Sequence, residues 1–174
     1  MSMNPDWLIP QWPAPARVHA LCTTRAGGIS RAPYDSLNLG GHVGDEPQAV
    51  ASNRAALAAA LSARPVYLSQ VHGVEVVPLS PDSAHGVAAD ASVTAQPGLA
   101  CTIMVADCLP VLFTNAQGSA VAAAHAGWRG LAGPDGTGIL ERTLGALALA
   151  SAASDIMAWL GPCIGPQAFE VGDD

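Results

Sequence analysis

Apolar and polar positions along this chain mostly switch in short bursts, with helical spacing in two stretches. The densest bursts lie at 101–129, CTIMVADCLPVLFTNAQGSAVAAAHAGWR, where two apolar, β-branched runs flank Asn115-Ala116-Gln117-Gly118. That pattern predicts a β-hairpin. A two-residue Ala116-Gln117 loop pairs Asn115 with Gly118 and, counted outward, sets Cys108 opposite His125. Directly opposed residues have Cβ atoms about 4.5–5.5 Å apart. Such a spacing suits a thiolate and an imidazole sharing one metal ion, or a thiol beside a base. Pro110 has no N–H to give a ladder, so the pairing is expected to bulge or end near it.

The remaining pattern fills in from the N-terminus. Trp7 to Trp12 reads as an extended segment packed on the body, and Val18–Thr24 (VHALCTT) as a strand closed by Arg25-Ala26-Gly27-Gly28. These glycines permit a sharp turn and leave Arg25 at the strand end. SRAPYDSLNLGGHVGDEP has no periodicity and predicts a long loop, with Tyr34, Ser36, Asn38, His42 and Asp45 as polar candidates. Asp45-Glu46-Pro47 opens a helix reaching about Ser62, with Val50, Leu57 and Leu61 on its buried side. PVYLSQVH and GVEVVPL predict two short strands about a bend at His72-Gly73. Residues 80–100 form a polar connection that holds an exposed His85 and, after Asp90, a short strand ASVTA. Beyond the hairpin, Gly127 and Gly130 end a strand, and Thr137 caps a helix at 138–152 with Glu141 near its positive end. Ile156–Leu160 is a last strand, and the chain stops shortly past it. Strands outnumber helices and mostly follow one another. The fold class expected is therefore α/β of the α+β type, in one domain over 1–174, without doubly wound alternation.

Composition narrows the chemistry. With 174 residues, half of them hydrophobic, the chain has enough apolar surface for one core. No apolar run reaches the ~18–20 residues of a membrane span, and the N-terminus shows no basic-then-apolar leader. A cytoplasmic protein without a membrane partner is expected. Four scattered cysteines then read as free thiols or a metal ligand. Net charge is −7, and all seven basic residues are arginine. The lack of lysine excludes Schiff-base chemistry and the phosphate-loop lysine, and scattered arginines argue against a nucleic-acid surface.

His72, Cys108 and His125 all fall at expected strand ends. Two imidazoles and a thiolate with a fourth position open is the donor set of a catalytic zinc site. It also matches a blue-copper set, with Met104 as a conceivable axial ligand, so ligand identity does not choose between Zn2+ and copper. Asp107 beside Cys108 is a candidate general acid/base if the segment bulges, and otherwise a capping residue. Arg25 and Arg129 end strands at glycine-rich turns and are candidate anion clamps. Without a metal, Cys108 would be a nucleophile and His125 its base. Multicopper oxidation fits poorly with five histidines and no His-x-His pair.

Six segments in order, CTTRAGGIS, YDSLNLGGHVGD, SQVHG, ADCLPVLF, AAHAGWRG and WLGPCIGP, resemble the laccase-domain (YfiH-like) family over nearly the whole chain. The resemblance implies a sandwich of packed mixed sheets with outer helices. It implies zinc-dependent phosphorolysis of adenosine, inosine, guanosine and methylthioadenosine, with adenosine deaminase activity. Family labels also include polyphenol oxidase (laccase) and peptidoglycan editing, the latter compatible with a cysteine hydrolase. The metal ligands implied are His72, Cys108 and His125. Arg25, Asn38 and Arg129 are implied around substrate or phosphate. Purine nucleosides and phosphate are the expected partners, and a monomer or weak homo-oligomer the expected state. Members of the family continue past the last residue here. A missing C-terminal portion is thus expected, and with it the alternative of an inactive remnant. The stretch GLAGPDGTGILE is longer than the family's usual loop.

Overall fold

A computed structural model describes residues 4–152 and 155–170. Its elements run α1 (Pro47–Leu61), β1 (Arg64–Tyr67), β2 (Val76–Pro78), β3 (Ala91–Thr94), β4 (Leu99–Thr102), β5 (Leu109–Asn115), β6 (Val121–Ala126), α2 (Trp128–Ala132), α3 (Ile139–Ser151) and β7 (Ile156–Leu160). Five strands form a mixed sheet in the order β2-β3-β6-β5-β7, and β1 and β4 form a separate parallel pair. The α/β class with mixed sheets and outer helices is as expected.

Alternation along the strands explains the layering. Ala91 and Val93 of β3, Ala122, Ala124 and Ala126 of β6, and Val111 and Phe113 of β5 join Ile139 and Leu147 of α3 in one core. The alanines of β6 are small enough to let α3 lie close on that face. Ser92, Ala123 and His125 point the other way, towards the side on which β4 packs. Covered on both faces, β3 is buried at every position. Helix α1 packs outside β1.

The hairpin forms with a different register. Thr114 pairs with Val121 and Pro110 with His125, so the loop is wider than two residues. Asn115 builds it: its carbonyl accepts from Gly118 N–H at 2.9 Å, its Oδ1 from Ser119 N–H at 2.9 Å, and its Nδ2 donates to Ser119 Oγ at 2.8 Å. Gly118 takes φ +61°, which a residue without Cβ adopts freely. The register shifts by two residues, and an even shift leaves each side chain on its expected face. The ladder ends at Leu109 opposite Ala126, one residue past Pro110.

Other expectations are corrected. Val18–Thr24 is not a strand; Leu8 and Cys22 exchange two hydrogen bonds of 2.8 Å as an isolated bridge. The facing segment carries Pro5, Pro10 and Pro13, which have no N–H to extend a ladder. The two short strands about the His72-Gly73 bend form as expected, and they join different sheets, with β1 beside β4 and β2 beside β3. Gly127–Gly130 does not simply close a strand, because α2 starts at Trp128. Gly138 is the N-cap of α3 in place of Thr137, and Leu61 is only half-buried. Val171–Asp174, at the expected strand-to-loop ending, lie outside the described residues.

Two titrations follow from the packing. Burial pushes the Cys101 thiol up to about 11, whereas Cys163 is exposed. At pH 8, mass-spectrometric mapping of iodoacetamide labelling is expected to find Cys163 modified early and Cys101 last. Hydrogen bonds from Ser30 and Asn38, and then from the Glu46 N–H, hold the Asp45 carboxyl below its ordinary value. A lowered folded pKa contributes stability above the unfolded value, and the contribution is lost as pH falls through the folded one. The protection of the Gly40 amide, its exchange rate relative to the unstructured rate at the same pH, should therefore be constant from neutrality and fall only below about pH 4, since Gly40 N–H donates to Asn38, which binds Asp45.

Candidate metal centre

Three elements bring the centre together. His125 is the penultimate residue of β6, on the face turned from α3. Cys108 immediately precedes β5 and, one step beyond the ladder, lies across from Gly127. His72 sits in the bend between β1 and β2 at φ +60°. One ligand atom from each of the three can be chosen so that all lie within 4.8 Å of one another. The His72 Nε2 to Cys108 Sγ distance is 3.7 Å, and the rings of His72 and His125 meet edge-on at 4.7 Å between centroids. Zn–N and Zn–S bonds at a tetrahedral angle separate N from S by about 3.5 Å. The donor set and its spacing fit a metal ion. His125 is buried, Cys108 half-buried and His72 exposed, so the cluster opens to solvent on the His72 side.

Glycine makes the approach possible. A Cβ on Gly127 would lie 2.7 Å from His72 Cδ2 and 3.2 Å from Cys108 Sγ. One on Gly130 would lie 2.9 Å from the Gly73 carbonyl oxygen. The glycines of HAGWRG therefore let α2 close against the His72-Gly73 bend. Between them lies a cleft of about 390 Å³, lined by His72, Gly73, Val74, Trp128 and Arg129 and continued by Ala132 to Pro134. The Arg129 guanidinium stands 4.5 Å from the Trp128 ring centroid.

Asp90 is the residue that sequence reasoning missed. It is completely buried, and its Oδ1 lies 2.8 Å from His125 Nδ1. The same carboxylate accepts the backbone N–H groups of Val71, His72 and Gly73 at 3.1, 2.9 and 2.7 Å. Continuing the β3–β6 register by one residue puts Asp90 directly opposite His125, and the His125 N–H donates to its carbonyl at 2.7 Å.

The other expected site residues are less tightly gathered. Asp107 is exposed next to Cys108, and its carbonyl accepts from Ile164 N–H at 2.9 Å. Burial first, then the charges of Asp107 and Asp90, push the Cys108 thiol up. Arg25 donates Nε to the Asp35 carbonyl at 2.8 Å and pairs with its carboxylate at 3.4 Å, so its contacts brace the loop at 25–45. Asn38 spends its side chain on Gly40 and Asp45 of that loop. A chain of contacts leads from the loop to the bend: Leu39 O accepts from Arg54, Arg54 approaches Met104 Sδ, and the Gln70 side-chain amide donates to the Met104 carbonyl and accepts from its N–H. Met104 turns its sulfur to the Arg54 guanidinium, at 3.8 Å. His85 is exposed and accepts the Tyr67 N–H at 3.2 Å, away from the cluster. Among the described residues, no helix is long and apolar enough to cross a membrane.

A family profile described as multi-copper polyphenol oxidoreductase laccase matches residues 19–174. The chain is 56% identical over 168 residues to a Pseudomonas aeruginosa protein named a purine nucleoside phosphorylase, covering 97% of this chain and 66% of that one. It is 52% identical over 169 residues to purine nucleoside phosphorylase YfiH of Escherichia coli, covering 96% and 67%. Among solved structures, a Neisseria meningitidis protein of family DUF152 superposes with a TM-score of 0.87 at 48% identity, covering 96% of this chain and 66% of that one. The chain spans about two thirds of the length of these relatives.

Proposed function

The chain belongs to the family described as multi-copper polyphenol oxidoreductase laccase, and from that premise we propose that it carries the zinc centre of a purine nucleoside phosphorylase. The observation behind this reading is the His72–Cys108–His125 cluster beside a cleft lined by Trp128 and Arg129. The names of the relatives supply the substrate class.

The proposed roles follow from position. His72, Cys108 and His125 hold the ion. Bound there, zinc supplies a Lewis acid for phosphate or for the water of adenosine deamination. Arg129 offers fixed charge to phosphate from the cleft wall, and Trp128 an aromatic face to the purine. In phosphorolysis a phosphate oxygen bonds to C1′ of the ribose, the bond from C1′ to the purine nitrogen breaks, and the leaving base takes up a proton. Asp107, exposed next to Cys108, is the group proposed to handle that proton. Arg25 and Asn38 act through the loop they brace, which is tied to the bend by way of Arg54 and Met104. Adenosine, inosine, guanosine and methylthioadenosine are the substrates proposed.

The experiment is incubation of zinc-loaded protein with adenosine and phosphate, followed by separation of products. Adenine with ribose-1-phosphate supports phosphorolysis, and inosine supports deamination. Absence of both overturns the reading. Arg129→Ala is expected to raise KM for phosphate about tenfold or more with a smaller change in kcat, as for a ground-state anion contact; steady-state kinetics with phosphate varied measures it.

Two alternatives lose ground. A metal-free cysteine hydrolase needs a thiol activated towards thiolate, yet Cys108 is pushed the opposite way by burial and two carboxylates. A multicopper oxidase needs imidazoles beyond the two here, and among the described residues His72, Cys108 and His125 are the one cluster of the required kind.

A further inference from the structure

We propose that Asp90 is the positioning residue of this centre, one buried carboxylate that fixes the ring of His125 and the backbone of His72 together. The proposal rests on the metal-site reading above and concerns how the site is held ready.

An ionised carboxylate offers about four lone-pair directions and no donor. At Asp90 four protein donors take them: His125 Nδ1 and His72 N–H on Oδ1, Val71 and Gly73 N–H on Oδ2. Two consequences follow. Because the carboxylate only accepts, the proton of neutral His125 resides on Nδ1, and Nε2 presents its lone pair to the cluster. And because three successive N–H groups converge on one side chain, the bend is held with His72 at φ +60°, a left-handed conformation unfavourable to a residue with a Cβ. The Asp90 carbonyl adds a bond to the His125 N–H at 2.7 Å. Ring, backbone and bend are thereby tied to a single residue at 0% exposure.

The same count of donors separates Asp90 from a ligand role. Both its oxygens are engaged by protein, so it does not take the fourth position of the ion. Exposed Asp107 makes no equivalent contact with either histidine. A carboxylate behind a ligating imidazole sets its tautomer and ring orientation, and losing it commonly lowers metal affinity 10–100-fold.

The test has two arms. In wild-type protein, ¹⁵N–¹H correlation of the imidazoles is expected to find His125 as the Nδ1–H tautomer both before and after zinc loading. An Nε2–H tautomer in the zinc-free protein overturns the proposal. In Asp90→Asn, the new amide must turn its NH2 towards either backbone N–H donors or His125. Zinc affinity by chelator competition is expected to fall about 10–100-fold, with a changed thiolate-to-metal absorption band in the cobalt-substituted form. Affinity and cobalt spectrum equal to wild type overturn it. Should Asp90→Asn not fold, the wild-type tautomer decides alone. Failure of wild-type protein to bind zinc at all would instead strike the metal-site reading, and the zinc-free tautomer would still judge Asp90.

Discussion

Cys108→Ala is expected to yield a folded protein that no longer retains stoichiometric zinc and has lost about 10³-fold or more of its phosphorolysis. The thiolate is the strongest donor of the cluster and the one that carries charge to offset the ion. Without it two imidazoles remain, one of them on an exposed bend. The fold itself should tolerate the change, because Cys108 is half-buried and outside the core that α3 forms with the central sheet. Zinc-free wild type and variant should therefore melt within a few degrees of each other. Only the wild type should gain stability with added zinc, by about 2.7 kcal/mol when free zinc is a hundred times its dissociation constant. Cys163→Ala, at an exposed cysteine, is the control and should keep both zinc and activity. Zinc retained at full stoichiometry by Cys108→Ala would remove Cys108 from the ligand set. Zinc lost with activity intact would remove the metal from the reaction.

What the sequence could disclose depended on how far apart the deciding residues lie. Helix α1 was legible within its own span, since Pro47 sets its first turn and Val50 and Leu57 mark its buried side. Strand β7 was legible as well, bounded by polar and glycine residues. The hairpin was legible as a hairpin, but its register was not. Asn115 accepts from Gly118 and Ser119 and widens the loop, a choice made by side-chain bonding that apolar periodicity does not record. Cys108 and His125 still met, because a shift of two preserves the face. His72 carried little weight on spacing and gained it from the motif resemblance. Asp90 was hidden for a different reason. It faces His125 only because β3 pairs with β6, and that pairing skips two intervening strands. Val18–Thr24 misled in the opposite sense: its alternation suits a strand, but a partner segment interrupted by prolines cannot supply a ladder.

Gly28→Ala is expected to destabilise the fold by about 3 kcal/mol or more, the largest effect of any glycine-to-alanine change in the CTTRAGGIS segment. A Cβ there would lie 2.1 Å from the Ser36 carbonyl oxygen, 2.5 Å from Leu37 Cα and 2.6 Å from Asn53 Oδ1. Two of these atoms are backbone and cannot rotate away. The third belongs to Asn53, which is buried on α1 and donates to Ser30 Oγ, Ser36 O and Asn38 O while accepting from Ile29 N–H. Asn53 is thus the peg on which the long loop is hung, and a methyl group at residue 28 drives a wedge between loop and peg. Gly145→Ala is the matched comparison. It lies within α3, where an added Cβ meets nothing within 4 Å, and alanine favours a helix interior over glycine by about 1 kcal/mol. Urea unfolding of the two variants should move in opposite directions from wild type. If Gly28→Ala unfolds with an unchanged midpoint, the loop at 25–45 is not clamped to α1 as described. Arg25 and Asn38 would then lose the path by which they are proposed to act on the site.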